Sequence, residues 1–335
     1  MILVTGGTGF LGSHLIYHLI QSGKKVRAIK RDHTTFDIIN RVFSFYNADF
    51  HLLSSHIEWV EADITDIYAL ESCLEGISDV YHAAALVSFQ PGDQDRMEQI
   101  NVKGTANLVN ACLSKKVRRL CHVSSIAAIG RAENDQVIDE NVVWKASRRN
   151  SNYAISKYAA EREVWRSMEE GLDAVIINPS VILGPGEINS GSATLIATVE
   201  KGLKYYTSGI NGFVDVRDVV KIMVLLMESD ISGERFIVSS ENLTYKELFE
   251  YIATCLKQKA PRYRAGKWMS GIYWRLEFLK SKITGKKPLV TQETSRTANN
   301  NYLYSGDKLK AKLNYKYLSI KESVNDACTF HIKQK

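Results

Sequence analysis

The run Thr5-Gly6-Gly7-Thr8-Gly9-Phe10-Leu11-Gly12 constrains this chain more than any other stretch. Before it, Met1–Thr5 is an apolar run that reads as a strand. After it, Phe10–Ser22 carries Leu11, Leu15, Ile16, Leu19 and Ile20 at helical spacing. Gly6, Gly9 and Gly12 lack a Cβ, so the backbone can turn sharply and a pyrophosphate can come close to it. The helix that follows offers free N–H groups and a partial positive charge. A glycine triplet alone is weak evidence, but here the flanking strand and helix are the ones the mechanism needs. The loop therefore predicts a dinucleotide site formed by Gly6, Thr8, Gly9, Phe10, Leu11 and Gly12.

Strand and helix signals go on alternating. Val26–Ile29, Ile57–Val60, Val80–Ala83, Leu120–Ser124 and Ala174–Asn178 read as strands. Glu98–Leu113 and Asn152–Met168 read as helices. Repeated βα units imply an α/β fold, a Rossmann-type doubly wound parallel sheet with helices on both faces. Asp32 to His56 is a poorly patterned insertion with a helix near Asp37–Phe45. After Pro179 the rhythm changes. Helices are expected over Ser190–Lys201, Asp215–Met227 (capped by Asp215) and Thr244–Leu256, and a strand over Arg235–Val238. The expected division is a dinucleotide-binding domain over 1–180, to which 214–240 returns. A smaller α/β substrate-binding lobe takes 181–213 and 241–335.

Composition narrows the function classes. With 45% hydrophobic and 24% charged residues, the 335-residue chain is neither disordered nor collagen-like. A formal charge of +6 fits an anionic ligand and is too weak to argue for nucleic acid. The cysteines at 73, 112, 121, 255 and 328 form no CxxC and no metal-ligand spacing, so reduced thiols and no metal are expected. No apolar run approaches the roughly 20 residues of a membrane span. Met1 leads straight into a strand rather than a signal peptide. A soluble cytoplasmic protein is expected.

Further positions along the strand ends face the same ligand. Lys30-Arg31 closes the second strand, where a carboxylate would hold both ribose hydroxyls of NAD. Two cations there suit the 2′-phosphate of NADP instead. NADP(H) is thus the preferred cofactor, with NAD(H) second. Asp63, followed by Ile64, comes after the third strand and either meets the adenine or caps the next helix. Ala83, Ala84 and Ala85 end the fourth strand with side chains small enough for a cofactor to pass, although simple helix–sheet packing explains each alanine as well.

Tyr153 and Lys157 stand at i and i+4, on one face of a helix. Ser124-Ser125 closes the fifth strand. Taken in order, the glycine loop, Asn101-Val102-Lys103-Gly104-Thr105, Val123-Ser124-Ser125, the Tyr153/Lys157 pair and Asn178-Pro179-Ser180 make this chain resemble the extended short-chain dehydrogenase/reductase family. The match spans most of residues 1–240. The chemistry has its own rationale. Reducing a carbonyl needs a proton on oxygen, and Tyr153 is the natural donor, with an ordinary pKa near 10. An ammonium about 4 Å away would lower that by about 3 units at an effective dielectric near 20. Ser125 can hydrogen-bond the carbonyl oxygen. The resemblance implies Ser125 rather than Ser124 in that role, Asn101 as support for a water on the lysine, Lys157 as ribose anchor, and Pro179, Ser180 and Val181 near the cofactor. It also implies a homodimer built from helices at about 95–113 and 151–168.

The branch is narrowed by what is absent. Ile126-Ala127 follows Ser125 where the sugar dehydratases carry Asp-Glu. Val175-Ile176-Ile177 precedes Asn178 where many nucleotide-sugar epimerases carry Arg-Tyr. The stretch Asn178-Pro179-Ser180-Val181-Ile182-Leu183-Gly184-Pro185 is similar to dihydroflavonol 4-reductases and 3β-hydroxysteroid dehydrogenases. The expectation is an NADPH-dependent reductase of an aldehyde or bulky apolar ketone. The alternatives are hydroxysteroid-type oxidation, a nucleotide-sugar epimerase, and an NADP-binding regulatory module without catalysis. Phe89, Tyr206, Phe213 and Trp144 are candidate pocket residues, with core packing equally open for each. His82 reads as a strand-end residue and His122 as packed in the sheet. Residues 257–290 hold ten Lys or Arg and one acid, Glu277, interleaved with aromatics. That segment reads either as a helix resting on an anionic membrane or, the preferred reading, as a pocket-covering helix with a solvated basic face.

Overall fold

In chain order the strands are β1 (Ile2–Thr5), β2 (Val26–Lys30), β3 (Ile57–Glu61), β4 (Asp79–His82), β5 (Arg119–Val123), β6 (Ala174–Pro179), β7 (Val181–Leu183), β8 (Tyr205–Tyr206), β9 (Ile210–Asp215), β10 (Glu234–Val238), β11 (Glu241–Thr244) and β12 (Tyr263–Arg264). They are seen in a computed structural model that describes residues 1–130, 137–147, 150–186, 191, 193–284 and 291–334. Seven strands form one sheet in the order β3-β2-β1-β4-β5-β6-β10, with every neighbouring pair parallel. A parallel sheet is covered on both faces, so its central strands are apolar throughout. All four residues of β1 and all six of β6 are buried.

The period of two divides each strand between two cores. Val4, Val175 and Ile177 face one side, where they meet Leu15, Ile16 and Leu19 of the helix Phe10–Gln21 and Val219, Ile222 and Met223 of the helix Val216–Glu228. Leu3, Ala174 and Ile176 face the other, against Leu108 and Cys112 of Gly104–Ser114 and Val164 of Asn152–Glu169. The insertion is more than a loop. Its helix Asp37–Phe45 adds Ile39, Val42 and Phe43, all fully buried, to the first core.

The chain runs outward from β1 through β2 to β3 and then returns to β4 on the other side of β1. This reversal of strand order falls between β1 and β4, and ligands of such sheets bind at the carboxyl ends of the strands there. The second lobe rests on a smaller sheet, β7-β9-β11. Its core joins Leu183, Val199, Phe213, Leu248, Phe249 and Ile252 with Ile320, Val324 and Cys328 of the C-terminal helix Ile320–Lys333. The helix Tyr245–Cys255 starts with a reciprocal capping box between Thr244 and Glu247.

Two expectations change. Residues 307–317, expected in the second lobe, pack on the first core, where Leu309 is fully buried and Tyr315 and Tyr317 lie alongside. The single helix expected over Glu98–Leu113 is two pieces. A π-helical turn, Glu98–Lys103, precedes the α-helix Gly104–Ser114. Such turns re-aim side chains, often at functional sites, and Asn101 on this one is buried.

Candidate active site

Gly6 adopts φ +72°. A Cβ on it would lie 2.7 Å from the Ala84 nitrogen and 2.8 Å from the Ala83 carbonyl carbon. The loop after β1 is thus pressed onto the backbone of the loop after β4. A Cβ on Gly12 would fall 2.1 Å from the Gly6 carbonyl oxygen, so the first helical turn sits directly against the loop. The Gly9 N–H donates to the Gly6 carbonyl (3.0 Å), and Gly9 caps the helix with no side chain over its N-terminus. Thr8, Gly9, Phe10 and Leu11 are half-buried around that open end, and Ala85 is exposed beside it. A backbone cradle closed to any Cβ, at a helix N-terminus, fits a pyrophosphate.

On the ribose side the two cations separate. Lys30 pairs with Glu61 across β2 and β3 (3.2 Å), so its charge is largely committed. Arg31 is exposed, and its charge helps to lower the Asp63 carboxyl below the usual range. Asp63 accepts from the Thr65 backbone N–H (2.8 Å) and hydroxyl (2.7 Å). The cap of the next helix, Ile67–Cys73, is Asp66 rather than Asp63. Ile64 is buried beneath Gly104, where a Cβ would meet its Cδ1 at 2.7 Å, so only its backbone is free for a ligand. Pro179 and Ser180 are buried at the β6–β7 junction, where Ser180 bonds the Val238 carbonyl, and Val181 is half-buried on β7.

Ser151 caps the helix Asn152–Glu169 by accepting from the Ala154 N–H (2.8 Å). That places Tyr153 in the first turn and Lys157 one turn on. Burial raises the Tyr153 pKa, and a hydrogen bond with the Ser125 side chain works the other way. The expected depression by Lys157 does not occur here. The lysine ammonium is turned to the Val123 carbonyl (2.9 Å), and desolvation dominates at the tyrosine. Lys157 is itself buried, which lowers its pKa to about 8, with Glu161 opposing the drop. Ser125 and Ser124 have different neighbours. Ser125 faces Tyr153, while the Ser124 hydroxyl donates to Glu161 (2.7 Å).

Asn101 accepts through its amide oxygen from the Leu86 N–H (2.7 Å) and donates to the Leu86 carbonyl (3.0 Å) and the Ser156 hydroxyl (3.0 Å). Its side chain therefore ties the loop after β4 to the Tyr153 helix. His82 is held between the Thr5 and Thr105 hydroxyls, and burial drives its pKa down to about 3, so it is a neutral structural group.

Sequence reasoning missed Glu161. It is buried, one turn beyond Lys157, and collects hydrogen bonds from Ser124, Asn178 (2.8 Å) and Trp165 (3.3 Å) besides an ion pair with Arg235 on β10 (3.1 Å). The i, i+4, i+8 spacing of Tyr153, Lys157 and Glu161 was the available signal.

Of the pocket candidates, Phe89 reaches the site. It is 38% exposed and sets its ring edge-on to Tyr153, centroids 5.6 Å apart. Phe213 does not, being 0% exposed in the core of the second lobe against Tyr245. Tyr206 packs on that same core, under the Lys246 ammonium. Trp144 stacks on Tyr158 at 4.4 Å. Among the described residues no group of His, Cys, Asp and Glu is arranged to hold a metal ion.

Comparison with known proteins agrees with this geometry. Residues 2–239 match the model of the NAD dependent epimerase/dehydratase family. A putative dihydroflavonol 4-reductase of Synechocystis is 28% identical over 97% of this chain and 92% of its own length. Tetraketide alpha-pyrone reductase 2 of Arabidopsis thaliana is 31% identical over 78% of this chain and 83% of its own. The solved structure of gox2253 superposes with a TM-score of 0.81 and 28% identity, covering 100% of this chain and 98% of that one. With the glycine cradle, the reversal of strand order and the Ser125–Tyr153–Lys157 grouping in place, the chain belongs to the NAD-dependent epimerase/dehydratase family of extended short-chain dehydrogenases/reductases, enzymes of carbonyl and hydroxyl chemistry.

Proposed function

We propose that this chain reduces a bulky apolar ketone or aldehyde with NADPH. The observation that carries the reading is the meeting of Tyr153, Ser125 and Phe89. A hydroxyl able to orient a carbonyl and an apolar ring edge both meet the proton donor, Tyr153. The reductase names among the relatives support it.

The residues divide the work as follows. The Ser125 hydroxyl donates to the substrate carbonyl oxygen and holds it near Tyr153. Burial keeps Tyr153 protonated above neutral pH, the state in which it has a proton to give. A nicotinamide cofactor held at the glycine loop would supply the hydride that the carbonyl carbon needs. Tyr153 gives its proton to the oxygen as negative charge develops there. With a pKa of about 8, Lys157 is mostly an ammonium at pH 7 and, one turn from Tyr153, would anchor the nicotinamide ribose. Arg31, which has no ion-pair partner among the described residues, is the candidate for a 2′-phosphate and underlies the preference for NADPH.

The test is NADPH consumption with a panel of aromatic and alicyclic ketones, run on the native protein and on Tyr153→Phe. The variant deletes one hydroxyl and keeps the ring against Phe89. Turnover should fall by about 10²–10⁴-fold with cofactor affinity nearly unchanged. A phenylalanine variant that reduces ketones at close to the native rate would refute Tyr153 as donor. Absence of turnover with every ketone and aldehyde in the native protein, with NADPH bound, would refute the reductase reading.

A further inference from the structure

The helix Lys267–Thr284 turns apolar residues to solvent. Trp268 is 88% exposed, Ile272 54% and Leu276 59%. Steps of four residues put these three on one stripe, and Met269, also exposed, adjoins it. The opposite side is turned inward. It holds Glu277, which is buried, and Trp274, which is half-buried. The helix has therefore placed its acid inside and its largest apolar ring in water. The solvent-facing side thus carries an apolar stripe as well as exposed basic residues.

The surroundings indicate what covers it. Arg275 and Lys280 are exposed and border the stripe on either side. The arginine lies over the Trp274 ring at 4.8 Å, and the lysine leans to Glu277 at 3.5 Å. Arg262 and Arg264 are exposed on the approach to the helix, beside Tyr263, which is also exposed. From 257 to 290 the chain has ten Lys or Arg against one acid, and that acid faces inward. A contiguous apolar stripe in water marks a contact surface. Long cationic side chains around it can keep their charges in a headgroup layer while their stems lie along apolar surface. An apolar stripe with an indole at its end and cations at both margins matches an interface between anionic headgroups and acyl chains. Among the described residues no helix is long and apolar enough to cross a membrane, so the contact is in plane.

We propose that the outward face of Lys267–Thr284 seats on an anionic lipid surface, with Trp268, Ile272 and Leu276 entering the headgroup–acyl boundary and the surrounding arginines and lysines facing lipid phosphates.

The experiment is co-sedimentation of the full chain with phosphatidylcholine vesicles and with mixed phosphatidylcholine/phosphatidylserine vesicles, at low and high salt. Binding should require the phosphatidylserine and weaken with salt. The double variant Trp268→Glu, Leu276→Glu should bind those vesicles at least about tenfold more weakly. Both positions are exposed, so its thermal melt should match the native one, and that melt separates lost binding from lost folding. No sedimentation of the native protein with the anionic vesicles would overturn the proposal. So would equal binding by the folded variant. A dimer seen by light scattering without lipid and abolished by the same variant, with no vesicle binding, would assign the face to a second copy of this chain instead.

Discussion

Replacing Lys157 by Met should make the ligand-free protein more stable while removing its activity. The ammonium is buried, and its pKa falls from 10.5 to about 8 on folding. At about 1.4 kcal/mol per pKa unit, that shift corresponds to about 3 kcal/mol of destabilisation wherever the group is charged in both states. The sign follows from proton counts. Between pH 8 and 10.5 the unfolded lysine holds a proton that the folded one has released, so native stability rises with pH across that window. Below pH 8 the full penalty applies. Methionine has nearly the same length and carries no charge. It forfeits the hydrogen bond to the Val123 carbonyl, at about 1 kcal/mol. Glu161, which loses one favourable neighbour, keeps Arg235 and the bonds from Ser124 and Asn178. The net expectation at pH 7 is a gain of about 2 kcal/mol, which disappears as pH rises through the window. Urea unfolding at pH 7 and near the top of that window measures it directly. A Lys157→Met protein that is less stable than native at pH 7, or whose difference from native does not change with pH, would refute the buried charge as a cost to the fold.

Three other outcomes follow from the same geometry. Arg31→Ala should weaken NADPH binding by about 1.5–3 kcal/mol and leave NADH almost untouched, because Lys30 is already paired with Glu61; titration of both cofactors checks this, and equal losses for the two would count against a 2′-phosphate contact. Gly12→Ala should abolish cofactor binding or folding, since its Cβ would lie 2.1 Å from the Gly6 carbonyl oxygen; a folded variant with native NADPH affinity, by circular dichroism and titration, would contradict the cradle. The helices Gly104–Ser114 and Asn152–Glu169 should pair with those of a second copy, and light scattering at micromolar concentration should then give a dimer; since Trp165 and Met168 pack on the molecule's own core, the more exposed Ile155 is the apolar residue left for that contact.

What could be read in advance depended on how local the cause was. The glycine loop and the Tyr153/Lys157 pair were legible because each rests on spacing within one element, which the sequence carries whole. The helix Asp37–Phe45 was legible for the same reason, though nothing local announced that Val42 and Phe43 would complete the main core. For Phe213 the sequence left pocket and core both open, because its inward side is fixed by pairing β9 with β7 and β11, which no neighbouring residue declares. The Lys30–Glu61 pair was not legible, because Glu61 comes opposite Lys30 only through the register of β2 and β3.

Glu161 and the Tyr153 pKa share one lesson. A fixed separation and a uniform dielectric bring a lysine one turn away close enough to lower a tyrosine. In the folded chain both groups lose water, and the ammonium spends its hydrogen bond on Val123. Desolvation then acts oppositely on the two, raising the acid and lowering the base. The counter-charge comes from Glu161, held by Arg235 from 74 positions away. That carboxylate works to keep the lysine cationic, while burial leaves the tyrosine protonated. The cost to stability and the protonation states of this pair therefore have one origin, side chains held dry beneath the end of β5.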